Sequence, residues 1–168
     1  MDINDLSKLI QSIPKLARHF RGIYKSNDLS SAFEYIDRSG VNALVIFHES
    51  DKTPRHYLGI YADFKLEILY FIDAHAHPPA YYSLDVFRFL ELFQMKMNSL
   101  PFGVQPVKDS NTSSMFTLYY LLMASQDVSL TDASKLFSSR DRSRNVLQLK
   151  KWFKKHFRDH DIYLRLKN

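Results

Sequence analysis

The sequence contains no cysteine. That excludes disulfides, cysteine-ligated zinc and thiol nucleophiles together. No apolar run approaches the length of a membrane span, and the first residues, Met1-Asp-Ile-Asn-Asp5, lack the basic start of a secretory signal. Internal repeats and low-complexity tracts are missing too. These absences lead us to expect a soluble intracellular protein. What is present is ordinary globular composition: 168 residues, 45% hydrophobic and 24% charged, enough for one domain with a sizeable core. Aromatic residues make up 14%, with 13 Phe and 10 Tyr, which predicts a dense aromatic core or exposed aromatic contacts.

Charge is spread unevenly. Residues 140–168 carry ten Lys or Arg against three Asp, while the remaining chain has 13 basic and 15 acidic residues. A near-neutral body with a basic end points to a polyanionic partner, nucleic acid above all.

Along the chain, Leu6, Leu9, Ile10, Ile13, Leu16 and Ala17 form a helical stripe interrupted by Pro14. A turn at Arg21-Gly22 and a polar loop at 24–28 precede a short helix over 29–36. Residues 43–47, 56–62 and 67–72 read as three strands joined by short turns, hence an antiparallel sheet. After the loop containing Pro78-Pro79 comes a helix over 84–97, with Val86, Phe89, Leu90, Phe93 and Met97 inward. Residues 102–106 suggest another short strand. Ser129-Leu-Thr-Asp132 opens a further helix with a pattern like a capping box, and a basic helix spans about 145–158. Strands followed by a mostly helical second half imply an α+β fold, a single domain over 1–168.

The chain is organised around residues 108–123. A polar loop, Asp109 to Ser113, runs into an apolar segment with no proline or glycine. Phe116, Tyr119, Tyr120 and Met123 recur at helical spacing, so the segment reads as a buried helix. Ser113 and Ser114 stand at its start, where unpaired amides and the positive dipole end converge. That position suits a nucleophile or an anion, and equally a plain helix cap. His56 opens one strand and Asp73 closes the next, so an antiparallel pairing brings them within hydrogen-bond reach. Such a pair is the orienting half of a triad, or a chance pair at a sheet edge. His75-Ala-His77 offers two metal ligands without an obvious third, and His156/His160 lie one helical turn apart. We read both pairs as surface histidines, and no cofactor is indicated.

These residues resemble a family. Asp109-Ser-Asn-Thr-Ser113-Ser114-Met-Phe116-Thr-Leu118-Tyr-Tyr-Leu121 is similar to the nucleophile motif of adenovirus-type (adenain) and Ulp1-like cysteine proteases, including those of Maverick/Polinton elements. In that motif a Ser and two variable residues precede Cys-Gly, and Ser113 stands at the Cys, Ser114 at the Gly. His56-Tyr57 resembles the family's His-Trp, with the same seventeen-residue step to the acid at Asp73. Asp73-Ala-His-Ala-His-Pro78-Pro79 is similar to its Asp-Ser-Phe-Gly-x-Pro-Pro. Gln105 resembles the oxyanion glutamine, and His19-Phe20-Arg-Gly22-Ile-Tyr24 the early Tyr-Phe-x-Gly-x-Tyr.

The resemblance implies an adenain/Ulp1-like fold, a mixed, mostly antiparallel sheet packed with helices. It implies catalytic positions at His56, Asp73, Ser113 and Gln105. It also implies partners among viral or ubiquitin-like precursor proteins, met in the host nucleus, the cytoplasm or a virion. A histidine draws the proton from a thiol far more readily than from a hydroxyl. Serine at 113 therefore implies a catalytically impaired pseudoprotease acting in binding or scaffolding. The alternative is an active endopeptidase using a Ser113-His56-Asp73 triad. Adenovirus-type proteases bind DNA through basic surfaces, so the resemblance implies phosphate contacts for Lys150, Lys151, Lys154, Lys155 and Arg158.

Overall fold

The computed structural model describes residues 1–50, 53–107 and 112–157. Helix α1 (Ile3–Gln11) starts where the Asp2 carboxylate accepts the Asp5 amide at 2.8 Å, and it buries Leu6, Leu9 and Ile10. Pro14 does not simply interrupt this helix. It begins a second one, α2 (Pro14–Ala17), at the first helical position, where a missing N–H costs nothing. Strand β1 (Phe20–Lys25) follows where the sequence suggested a turn and a loop. Helix α3 (Ser30–Phe33) is a single turn.

Strands β2 (Val41–Ser50), β3 (Thr53–Asp63) and β4 (Ile68–Ile72) form the expected antiparallel meander. A 3-10 turn over Pro79–Tyr81 leads into α4 (Leu84–Glu91), capped by the Ser83 hydroxyl. This helix stops six residues before the expected end, and Gln94 just beyond it takes a left-handed conformation (φ 55°). Met97 then lies in β5 (Met97–Ser99), not on a helix. No strand forms over 102–106. The sheet order is β1-β2-β3-β4-β5, antiparallel in its centre and parallel at each edge pair.

Period-two alternation sends the two sheet faces into separate cores. Leu44, Ile46, Leu58, Ile60 and Phe71 face α3 and α4, where Phe33, Phe89 and Phe93 pack edge to face. Ala43, Val45, Phe47, Tyr57 and Tyr61 face α1 and the central helix α5 (Ser113–Ala124). Every residue of α5 except Met123 is buried, so the helix is enclosed rather than striped. Its close approach needs Gly59: a Cβ there would lie 3.1 Å from Thr117 Cγ2 and 3.2 Å from Ile72 Cβ. Thr117 completes the junction by donating its hydroxyl to the Tyr57 carbonyl at 3.0 Å.

Helix α6 (Leu130–Ser134) opens on the predicted cap, with the Ser129 hydroxyl accepting the Asp132 amide at 3.1 Å. It is bolted to α5 by the Tyr119 hydroxyl, which donates to the Ala133 carbonyl at 2.9 Å, and by Tyr120 paired with Ser134 at 3.0 Å. Burial pushes the Tyr119 phenol up to about 12. Helix α7 (Arg142–His156) packs Leu149 and Phe153 into the same core and lays Trp152 edge-on against Tyr119. No helix among the described residues is long and apolar enough to cross a membrane.

Candidate active site

Asp73 sits immediately after β4, 1% exposed, and every polar contact around it is a donor. Its Oδ1 accepts His56 Nε2 at 2.7 Å and the His75 amide at 3.0 Å, and its Oδ2 accepts the His77 amide at 2.7 Å. The backbone curls back to make these bonds, and Ala76 adopts φ 60° in doing so. Burial alone would raise this carboxyl. The His56 contact and the two amides outweigh it and hold Asp73 below the usual carboxylate range.

His56 is 5% exposed and lies on the α4 side of β3, in line with Leu58 and Ile60. Its ring stacks against His75 (centroids 4.8 Å apart, planes 18°) and against Tyr82 (5.4 Å, 5°). With Nε2 engaged by Asp73, Nδ1 is the nitrogen left for chemistry. Tyr82 is buried beside the Asp73 carboxylate, and both circumstances push its phenol well above the ordinary value. Directly across from His56 in the β2–β3 register is His48, whose Nδ1 is 3.0 Å from the Ser26 hydroxyl.

The serines arrive from the opposite face. Ser113 and Ser114 are the first two residues of α5, and neither is more than 1% exposed. Ser113 Oγ accepts the Tyr57 amide at 3.3 Å, so it meets β3 one residue past His56. No hydrogen bond joins Ser113 to His56 among the described residues. The Ser114 hydroxyl is buried without a hydrogen-bond partner among them.

Gln105 is fully buried, and its loop is moored at both ends. The amides of Val104 and Gln105 both donate to the Ala74 carbonyl, at 2.8 and 2.9 Å, one residue past Asp73. From the other side Asn145 Nδ2 donates to the Val104 carbonyl at 2.9 Å. Asn145 also exchanges bonds with the Ser138 backbone, accepting its amide at 2.7 Å. Gly103 fits because it has no side chain: a Cβ would sit 2.6 Å from the His75 carbonyl and 2.8 Å from Arg142 Nη1. Asn145 escaped the sequence reading although a signal exists, since a polar residue in step with Leu149 and Phe153 interrupts an apolar stripe.

Thus the structure gathers His56, Asp73 and the Gln105 loop around the end of the β3–β4 pair, with Ser113 against the adjoining backbone. Residues Asp109, Ser110 and Asn111 of the motif, Arg158 of the basic set and His160 lie outside the described residues. Among those described, no group of three potential ligands is placed to hold a metal.

Burial keeps two site histidines neutral. His75 is lowered from the ordinary 6.5 to about 4, by desolvation first and then by the charge of His56. His48 is lowered by the same two causes in the same order. An unfolded chain binds protons at these positions near pH 6.5 and the folded chain does not, so acid favours unfolding. Stability is complete above about pH 6.5 and declines as pH falls toward 4. Asp73, whose pKa is depressed, adds a further loss at still lower pH, as it titrates at its folded value. We expect urea midpoints to fall between pH 7.5 and 4.5. A flat profile over that range would contradict this assignment of charge.

No protein-family model matches the sequence. Nor does any curated protein match it. Solved structures do. The C-terminal Ulp1 protease domain in complex with Smt3, the yeast orthologue of SUMO, aligns over 89% of this chain and 75% of its own, at 13% identity and a TM-score of 0.51. The SUMO protease Ulp1 with its catalytic cysteine oxidised to a sulfenic acid aligns over the same shares, at 14% identity and a TM-score of 0.52. At such identity the likeness is one of fold, and the chain has an Ulp1-like cysteine-protease fold.

Proposed function

We propose that this chain is a binding or scaffolding protein on a cysteine-protease scaffold, of viral or virus-derived type, whose hydrolytic step is lost or severely weakened. One observation carries the reading. The His56–Asp73 pair is intact at 2.7 Å, while the residue in the nucleophile position is a buried serine whose Oγ accepts from the Tyr57 amide. A serine proton is far harder to remove than a thiol proton, and no hydrogen bond joins this hydroxyl to His56 among the described residues. The favoured partner is a ubiquitin-like protein or its precursor, a class suggested by the SUMO orthologue bound in the Ulp1 complex. The expected setting is intracellular, in nucleus, cytoplasm or virion.

A second reading keeps the enzyme, and the intact pair favours it. Ser113 Oγ would attack the scissile carbonyl as His56 Nδ1 took its proton, Asp73 steadying the imidazolium. Gln105 and the α5 amides would receive the oxyanion. Incubation with ubiquitin-like precursors separates the two. The first reading expects binding without cleavage over hours, and cleavage abolished by His56→Ala would establish the second.

The basic face of α7 supports an additional partner. Lys150, Lys151, Lys154 and Lys155 are exposed, and none forms an ion pair among the described residues. Duplex DNA, held through its phosphates without base readout, fits that face.

A further inference from the structure

The two histidines that follow Asp73 read as surface residues in the sequence. One of them is part of the site. His75 makes three contacts that converge there. Its amide donates to the same Asp73 oxygen that accepts His56 Nε2, at 3.0 Å. Its carbonyl stands against Gly103, two residues before Gln105. Its ring stacks on the His56 imidazole at 4.8 Å, and Tyr82 stacks on the same imidazole at 5.4 Å.

A histidine held at one nitrogen is not thereby oriented. The torsion that turns the ring is broad, and a single hydrogen bond leaves it room to swing. Two rings stacked nearly parallel to the imidazole restrict that freedom, because rotation would drive its edge into one of them. We propose that His75 is a positioning residue for His56, acting through its ring as one member of an aromatic stack completed by Tyr82. It rests on the reading of His56 as the base of a protease-derived site. The charged and titratable groups that face His75 are His56, Asp73, His77 and Arg142. Its own ring stays neutral at pH 7, so the role asks for an aromatic surface and not for a proton.

The experiment uses the full chain and needs no substrate. The His56 Nε2 proton, bonded to Asp73, is followed by NMR as a low-field imidazole resonance, and its exchange with water is timed. His75→Ala is expected to speed exchange about tenfold, and His75→Phe to restore the slow rate. In a Ser113→Cys, Ser114→Gly background, labelling by iodoacetamide should fall about tenfold with His75→Ala and recover with His75→Phe. Should the alanine variant not fold, His75→Val, which fills space without a ring, replaces it. Unchanged exchange in the ringless variant overturns the proposal. So does a phenylalanine variant as defective as alanine, since the imidazole would then be serving as a proton carrier. If the thiol background labels no faster than free cysteine, the reading of the site as a protease relic fails. The proton-exchange series still decides the role of His75.

Discussion

Replacing Ser113 by Cys and Ser114 by Gly is expected to give a protein that reacts with a thiol-directed probe faster than free cysteine does. At the first turn of α5 the new thiol stands at a helix N-terminus, and on the proposed reading it comes within reach of the His56 imidazole; both influences stabilise a thiolate. A thiol pKa lowered from about 8.5 to roughly 6 raises the thiolate fraction at pH 6 by about a hundredfold. The less basic thiolate is intrinsically slower by roughly tenfold, which leaves a net advantage of about tenfold. Ser113 has no exposed surface, so a small haloacetamide is the suitable probe. Ser114→Gly belongs in the pair because a side chain beside the nucleophile would crowd an approaching chain, and Ser113→Cys alone should gain less. His56→Ala in the repaired protein should remove most of the advantage. A folded double variant that labels only at the free-thiol rate would reduce the α5 terminus to an ordinary helix start.

The second large effect lies on α7. Reversing Lys150, Lys151, Lys154 and Lys155 to Glu changes the charge by eight units, from +5 to −3, and should abolish binding to duplex DNA. For the unaltered chain, about four neutralised phosphates give a salt slope near −3.6, so affinity should drop roughly a hundredfold between 50 and 200 mM salt. Scrambling the DNA sequence should change nothing. The fold should survive the reversal, because the buried face of α7 consists of Asn145, Leu149 and Phe153. Four glutamates toward a helix C-terminus oppose its dipole, at a cost of a few tenths of a kcal/mol each. Fluorescence anisotropy on a short duplex measures the outcome. Affinity unchanged in the quadruple variant would mean that these lysines do no more than keep the surface solvated.

Which parts of this architecture were legible in the sequence follows from how local their causes are. The β2–β3–β4 meander showed itself because continuous apolar runs rich in β-branched and aromatic residues fill it, and because its turns are short. The strand β1 did not. Its Arg21-Gly22 step resembles a turn, Gly22 has φ 125°, and the pairing to β2 is a parallel one set by distant residues. The strand β5 is three exposed residues at a sheet edge, with no pattern to betray it. Residues 102–106 invited a strand, yet their hydrogen bonds go to the Ala74 carbonyl and to Asn145, neither of which is part of a sheet. In the site, the seventeen-residue step placed His56 beside Asp73. The stack of His75 and Tyr82 on His56 joins three separate stretches of chain, and only the folded molecule displays it.

Helix α5 joins two demands that in many folds fall on different segments. On the proposed reading its first two residues occupy the nucleophile position, and the rest is the apolar post around which α1, the sheet, α6 and α7 assemble. Selection acting on those two requirements can relax separately. A lineage that ceased to need hydrolysis could exchange Ser113 and Ser114 freely, while Phe116, Tyr119, Tyr120 and the Gly59 opposite Thr117 stayed under the same pressure as before. Sequence drift would then concentrate at the chemistry and spare the framework, leaving an outline of the ancestral site long after its reactivity had gone.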